Sequence, residues 1–152
     1  MNETEKTQLW KRRFFEAQAA AEEFVTSRYG QLGIDQWIDA NSTIAARLLG
    51  VGTTPIPERW RDFSERLFNQ LQLYESDISI VDEPTSRSLI NKACGILSYR
   101  KAAEARGVKL TFKSPCDYCK ALNTGIYEKY TENNTISVEL ETDGCVWKIS
   151  HT

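Results

Sequence analysis

The sequence has one histidine, His151, and one methionine, Met1, among its 152 residues. So little histidine excludes most Ser-His and Cys-His nucleophilic pairs, which would have to borrow the penultimate residue, a position expected to fray. It also excludes any metal centre that needs two imidazoles. Excess charge of one sign is missing too. Nineteen basic and twenty-one acidic side chains leave a net charge of −2, which argues against nucleic acid or an anionic membrane as partner. No run approaches the roughly 18 apolar residues that a spanning helix needs. The first thirty residues mix both charge signs and lack the apolar core of a secretory signal. A cytoplasmic protein with reduced cysteines is the expectation, and the sequons at Asn41 and Asn133 are then chance matches.

Other motifs are absent as well. Gly50 and Gly52 have no phosphate-loop context. Glu22-Glu23 and Glu139/Glu141 read as solvated faces rather than acid–base pairs, and Lys11-Arg12-Arg13 reads as a helix surface. What remains is ordinary globular composition, 41% hydrophobic and 26% charged, in a chain of single-domain length. One α+β domain over 1–152 is expected, with a helical part at about 4–74 and a sheet-containing part at about 77–150.

In the first part, Trp10, Phe14, Ala17, Ala21 and Phe24 recur at spacings of four and three and predict a core stripe on a helix ended by Gly30 and Gly33. Ile34, Trp37, Ile38, Ala45 and Leu48 mark a second helix, and the 50–57 segment is a loop. Trp60, Phe63, Leu67, Leu71 and Tyr74 mark a third helix. Beyond it, 77–82 alternates as a strand, Pro84 to Ser86 turns, and 88–93 returns. The segment from Cys94 to Gly107 favours helix. Val108, Leu110 and Phe112 alternate as a further short strand. Ser114-Pro115 should start another helix, with Asp117 completing a capping box. Ile136, Val138 and Leu140 lead into a type I′ turn at Asp143-Gly144, and 146–149 returns. Helices first, then a small antiparallel sheet and a C-terminal strand-helix-hairpin, is an α+β order.

The concentrated chemistry is in Cys94, Cys116, Cys119 and Cys145, spaced C-x21-C-x2-C-x25-C. The C-x2-C pair brings two thiols within reach of one metal or of each other. Cys116, in a first helical turn, has the best environment for a nucleophilic thiolate. Four thiolates bind zinc or another thiophilic metal without histidine. Packing as small hydrophobes is the competing reading.

The stretches SPCDYCKALNTGIYEKY and TISVELETDGCVWKIS resemble the end of 4-vinyl reductase domains and of TRAPP-complex subunits. There, a cysteine-bearing helix with a small residue at its middle, here Gly125, leads into a hairpin whose second strand opens like DGCVWKI. A more diffuse similarity extends to L-2-amino-thiazoline-4-carboxylic acid hydrolase-like proteins. The first resemblance implies a small-molecule-binding or sensing module with an apolar pocket between helices and sheet. Some such sensors hold zinc through a helix-start cysteine, matched here by Cys116 or Cys119, and a hairpin cysteine pair. Cys145 matches one of that pair. Ser137 stands where the other would be, so Cys94 or the second C-x2-C thiol would have to complete the set. The hydrolase resemblance implies opening of a thiazoline-like heterocycle, and the TRAPP resemblance an adaptor or assembly protein. The expected partners are therefore a small apolar or heterocyclic ligand, a second copy of the chain, or another protein.

Overall fold

The computed structural model describes residues 1–112, 116–132 and 134–151. Its elements are α1 (Glu3–Gly50), a 3-10 turn (Ile56–Glu58), α2 (Arg59–Leu73), β1 (Asp77–Asp82), β2 (Ser86–Ala93), α3 (Gly95–Ala105), α4 (Asp117–Thr131), β3 (Ile136–Leu140) and β4 (Cys145–Ser150). The strands form one antiparallel sheet in the order β1-β2-β4-β3. This is the α+β arrangement expected from the sequence.

α1 starts with a capping box in which Asn2 Oδ1 accepts from the Glu5 N–H at 2.9 Å and Glu5 accepts from the Asn2 N–H at 2.8 Å. The helix is interrupted at Gly30, whose φ of 64° lies in the left-handed region. The expected helix boundary is therefore real. The expected core stripe of the first half is not. Trp10, Phe14, Ala17 and Phe24 face solvent, and Phe15, Ala19 and Glu22 are buried instead. The inward face is rotated by about one residue because a second four-and-three series, 15-19-22, overlaps the first. Its acidic member, expected to be solvated, is buried with a cation. In the second half Ile34 and Ile38 are buried as expected, while Leu48 is exposed. α2 follows its pattern closely: Trp60, Phe63, Leu67 and Leu71 are buried and Tyr74 is half-buried.

The core lies between the helices and one face of the sheet, where Leu89 pairs with Trp147 and Arg87 with Ile149. Residues 108–112 pair with no strand, contrary to the alternation of Val108, Leu110 and Phe112. Alternation alone does not make a strand without a free sheet edge alongside. Ser114 and Pro115, the expected cap, lie outside the described residues. Helix α4 has Cys116 at its N-cap position. The hairpin turn also differs from expectation. Gly144 does not have a positive φ, and the Glu141 N–H donates to the Gly144 carbonyl at 2.9 Å, which puts Thr142 and Asp143 at the tip. Among the described residues, no helix is long and apolar enough to cross a membrane.

Candidate functional site

Two glycines set the geometry on which the cysteines converge. Cys94 is the junction residue between β2 and α3, and its N–H donates to the Asp143 carbonyl in the hairpin turn at 2.8 Å. A Cβ on Gly95 would lie 1.5 Å from the Tyr74 carbonyl oxygen, and one on Gly144 would lie 1.8 Å from that of Asn91. Only residues without a side chain let the chain close at these points. Cys145 opens β4 opposite Asn91 and Leu140. The start of α4 supplies Cys116 and Cys119, one turn apart, with the Lys120 N–H donating to the Cys116 carbonyl at 2.9 Å. The Asn123 amide, one turn further on, donates to the Cys119 carbonyl at 2.9 Å and to its Sγ at 3.3 Å.

All four cysteines line one small, partly open cavity of about 20 Å³, together with Trp147 and Arg100. Cys94 is thus brought to the other three. The volume suits a body the size of one water or one ion, since a water needs at least about 10–15 Å³. It is far below the roughly 300–1,000 Å³ of pockets that enclose drug-sized ligands. A larger depression of about 720 Å³ exists, but it is an open groove between the start of α1 and α3, away from the cysteines.

No disulfide joins any of the four. Burial, then the proximity of Cys94, Cys145 and Cys116, pushes the Cys119 thiol up to about 12, against the pull of the Asn123 amide. Cys145 is likewise pushed up to about 12, first by burial and then by Cys94. The Trp147 indole and the Asn91 amide oppose that shift, because both favour the Cys145 thiolate. Beside the neutral Cys145 thiol, the Asn91 amide atoms and Trp147 Nε1 are buried and, among the described residues, have no hydrogen-bond partner in normal geometry. Burial thus holds Cys119 and Cys145 as neutral thiols, with the Asn123 amide beside the first and the Asn91 and Trp147 side chains beside the second. Among the described residues, no three Cys, His, Asp or Glu side chains stand close enough, as placed, to hold a metal ion.

Arg100 on the cavity wall is itself paired. Its Nη2 donates to both carboxylate oxygens of Glu22, at 3.1 and 2.8 Å, while its Nε lacks a partner. Burial pushes the Glu22 carboxyl above its ordinary range, and the Arg100 contact opposes this. Tyr118 is near the same pair, and its hydroxyl accepts from the Asn41 amide at 3.5 Å.

Ser137, the position of the absent hairpin cysteine, is exposed and pairs with Lys148 rather than facing the cavity. His151 is not frayed. Its N–H donates to the Thr85 carbonyl at 3.0 Å and its ring stacks on Trp60 at 6.2 Å, at the opposite end of β4 from Cys145. Sequence reasoning missed Asn91, Arg100, Asn123, Trp147 and Glu22. Only Asn123 left a readable trace, four residues after Cys119 on one helical face. No protein-family model matches the chain, and the search of curated proteins finds no match.

Proposed function

We propose that this chain is a cytoplasmic binding or sensing domain whose working centre takes up one thiophilic metal ion, zinc or a softer relative, through Cys94, Cys119 and Cys145 with Cys116 at the rim. The observation that carries this reading is the convergence of four cysteines from three separate parts of the chain on one atom-sized cavity. Ordinary packing accounts for buried thiols, but it does not account for two buried donors, on Trp147 and Asn91, that lie beside Cys145 without a hydrogen bond of normal geometry. Those donors become satisfied when the sulfur carries negative charge, which is the usual role of groups behind metal-bound thiolates. Uptake requires the sulfurs to move together across the cavity and to release their protons. The ion then offsets the burial cost that keeps Cys119 and Cys145 neutral. A rearrangement of that kind couples occupancy to the α3 start, the α4 start and the hairpin, which suits a sensor.

The size of the cavity favours an ion over the apolar or heterocyclic ligand suggested by resemblance. It also disfavours a hydrolase with Cys116 as nucleophile, since the cavity that the four thiols line among the described residues is far smaller than a ring-sized ligand needs. The test is titration of the reduced protein with zinc and with cadmium, read by native mass and by thiolate-to-cadmium charge-transfer absorption. One ion per chain is expected, with the signal lost in Cys119→Ser and Cys145→Ser. A reduced, folded protein that takes up neither ion would overturn the reading.

A further inference from the structure

We propose that the centre is emptied by oxidation: a small hydroperoxide joins Cys116 to Cys119 in a disulfide and so takes Cys119 out of the ligand set. The release of an ion rests on the metal reading above, whereas the disulfide itself does not. The four sulfurs share one cavity, but they are not equally placed. Cys94 and Cys145 are each only 8% exposed, while Cys116 and Cys119 are half-buried at the start of α4. An oxidant arriving from solvent therefore meets the α4 pair first. The cavity of about 20 Å³ admits a molecule the size of hydrogen peroxide but not a bulky organic disulfide.

Helix geometry selects the pairing. The Lys120 N–H donates to the Cys116 carbonyl at 2.9 Å, which closes one helical turn over the two cysteines. With a rise of about 1.5 Å per residue, Cα atoms three positions apart in such a turn stand about 5 Å from each other, inside the roughly 4.4–6.8 Å that a disulfide spans. The bridge thus forms without moving one element against another. A bridge from Cys116 to Cys94 or Cys145 would have to draw α4 towards the α3 start or β4. Those two are held where they are by the Cys94 N–H bond to the Asp143 carbonyl and by the close backbone approaches at Gly95 and Gly144.

The chemistry balances with peroxide as the oxidant. The Cys116 sulfur attacks one peroxide oxygen, the O–O bond breaks, and the other oxygen leaves as water with the thiol proton. The Cys119 sulfur then attacks the sulfenic sulfur and expels hydroxide. That hydroxide leaves as water with the Cys119 proton, or with one from solvent where Cys119 was metal-bound. Two sulfurs lose one electron each and the peroxide gains both. Cys94 and Cys145 alone remain to the ion, too few for a closed thiolate site.

The test uses the reduced full chain and hydrogen peroxide. Residues 114–120 leave as one tryptic peptide, while Cys94 and Cys145 fall in two others. After brief treatment of the metal-free protein, the 114–120 peptide should be lighter by two hydrogens and closed to alkylation. A disulfide joining two peptides, or thiols that stay reduced until the protein is unfolded, would overturn the proposal. In the cadmium-loaded protein, peroxide should release the bound ion and a dithiol reductant should restore it. Serine suits an N-cap, so Cys116→Ser should keep the circular dichroism of the wild type and hold, through the same treatment, the cadmium it binds. Release from that variant as complete as from wild type would count against the switch alone. A reduced protein that binds no cadmium would overturn the metal reading, and the release with it, whatever the peptide map shows.

Discussion

Glu22 on α1 and Arg100 on α3 form an ion pair with a shortest contact of 2.8 Å in which both side chains are buried, at 0% and 4% exposure. The two residues are 78 positions apart, and their contact fixes the rotation of α1 against the part of the fold that carries the cysteines. Arg100 also forms part of the cysteine cavity's wall, so the pair ties the site to the long helix.

Breaking this pair from one side leaves an uncompensated buried group. Glu22→Ala or Arg100→Ala should therefore destabilise the fold by about 3–5 kcal/mol in urea unfolding. The double change Glu22→Leu with Arg100→Met should recover most of that loss, because no charge remains to be desolvated. A single variant as stable as wild type would show that α1 is held by its apolar contacts alone.

The thiol environment predicts unequal chemistry. With Cys119 and Cys145 pushed up to about 12, their thiolate fractions at pH 8 should be on the order of a thousandfold below those of ordinary thiols. Iodoacetamide should therefore modify both slowly in the folded protein and promptly after unfolding, as peptide mapping would reveal. The sign for stability follows from the raised folded values. The contribution is intact below the ordinary thiol range and is lost as pH rises through it toward about 12. Cys119→Ala should flatten that alkaline decline.

Gly144 is needed for close approach rather than for turn geometry. Gly144→Ala places a methyl group 1.8 Å from the Asn91 carbonyl oxygen, so β4 and Cys145 must shift. A cost of at least about 1–3 kcal/mol is expected, together with weakened cadmium uptake. Asp143→Ala, at the solvent-facing tip, should leave both nearly unchanged. Equal effects of the two variants would mean that the turn itself, and not the approach to Asn91, is what matters.

Asn123 separates a metal-supporting donor from a merely structural one. Asn123→Ala removes the 3.3 Å contact with the Cys119 sulfur while leaving every cysteine in place. Metal affinity should fall about 10–100-fold, the usual effect of losing a group behind a metal ligand. Unchanged affinity in competition with a chelator would assign Asn123 to the helix backbone alone.

Local pattern carried much of this fold. The alternation at 77–82 and 136–140, the run of apolar residues from Trp60 to Leu71, and the break at Gly30 each depend on neighbours a few residues away. They were legible for that reason. So was the cysteine set, since its composition and its C-x2-C spacing are properties of the chain. The 108–112 alternation misled because a strand also needs a partner edge, which lies elsewhere in the sequence. The turn at Asp143-Gly144 misled because a glycine can serve a close approach instead of a positive φ.

By itself, then, the sequence determined that helices precede a small antiparallel sheet and that four thiols, without useful histidine, form the available chemistry. Only the tertiary structure decided which face of α1 turns inward, because two overlapping four-and-three series compete and a cation on α3 favours the one containing Glu22. It also decided that Cys94 joins the other cysteines. Their meeting depends on Gly95 and Gly144 admitting distant backbone, a condition set by packing in space and invisible in the order of residues.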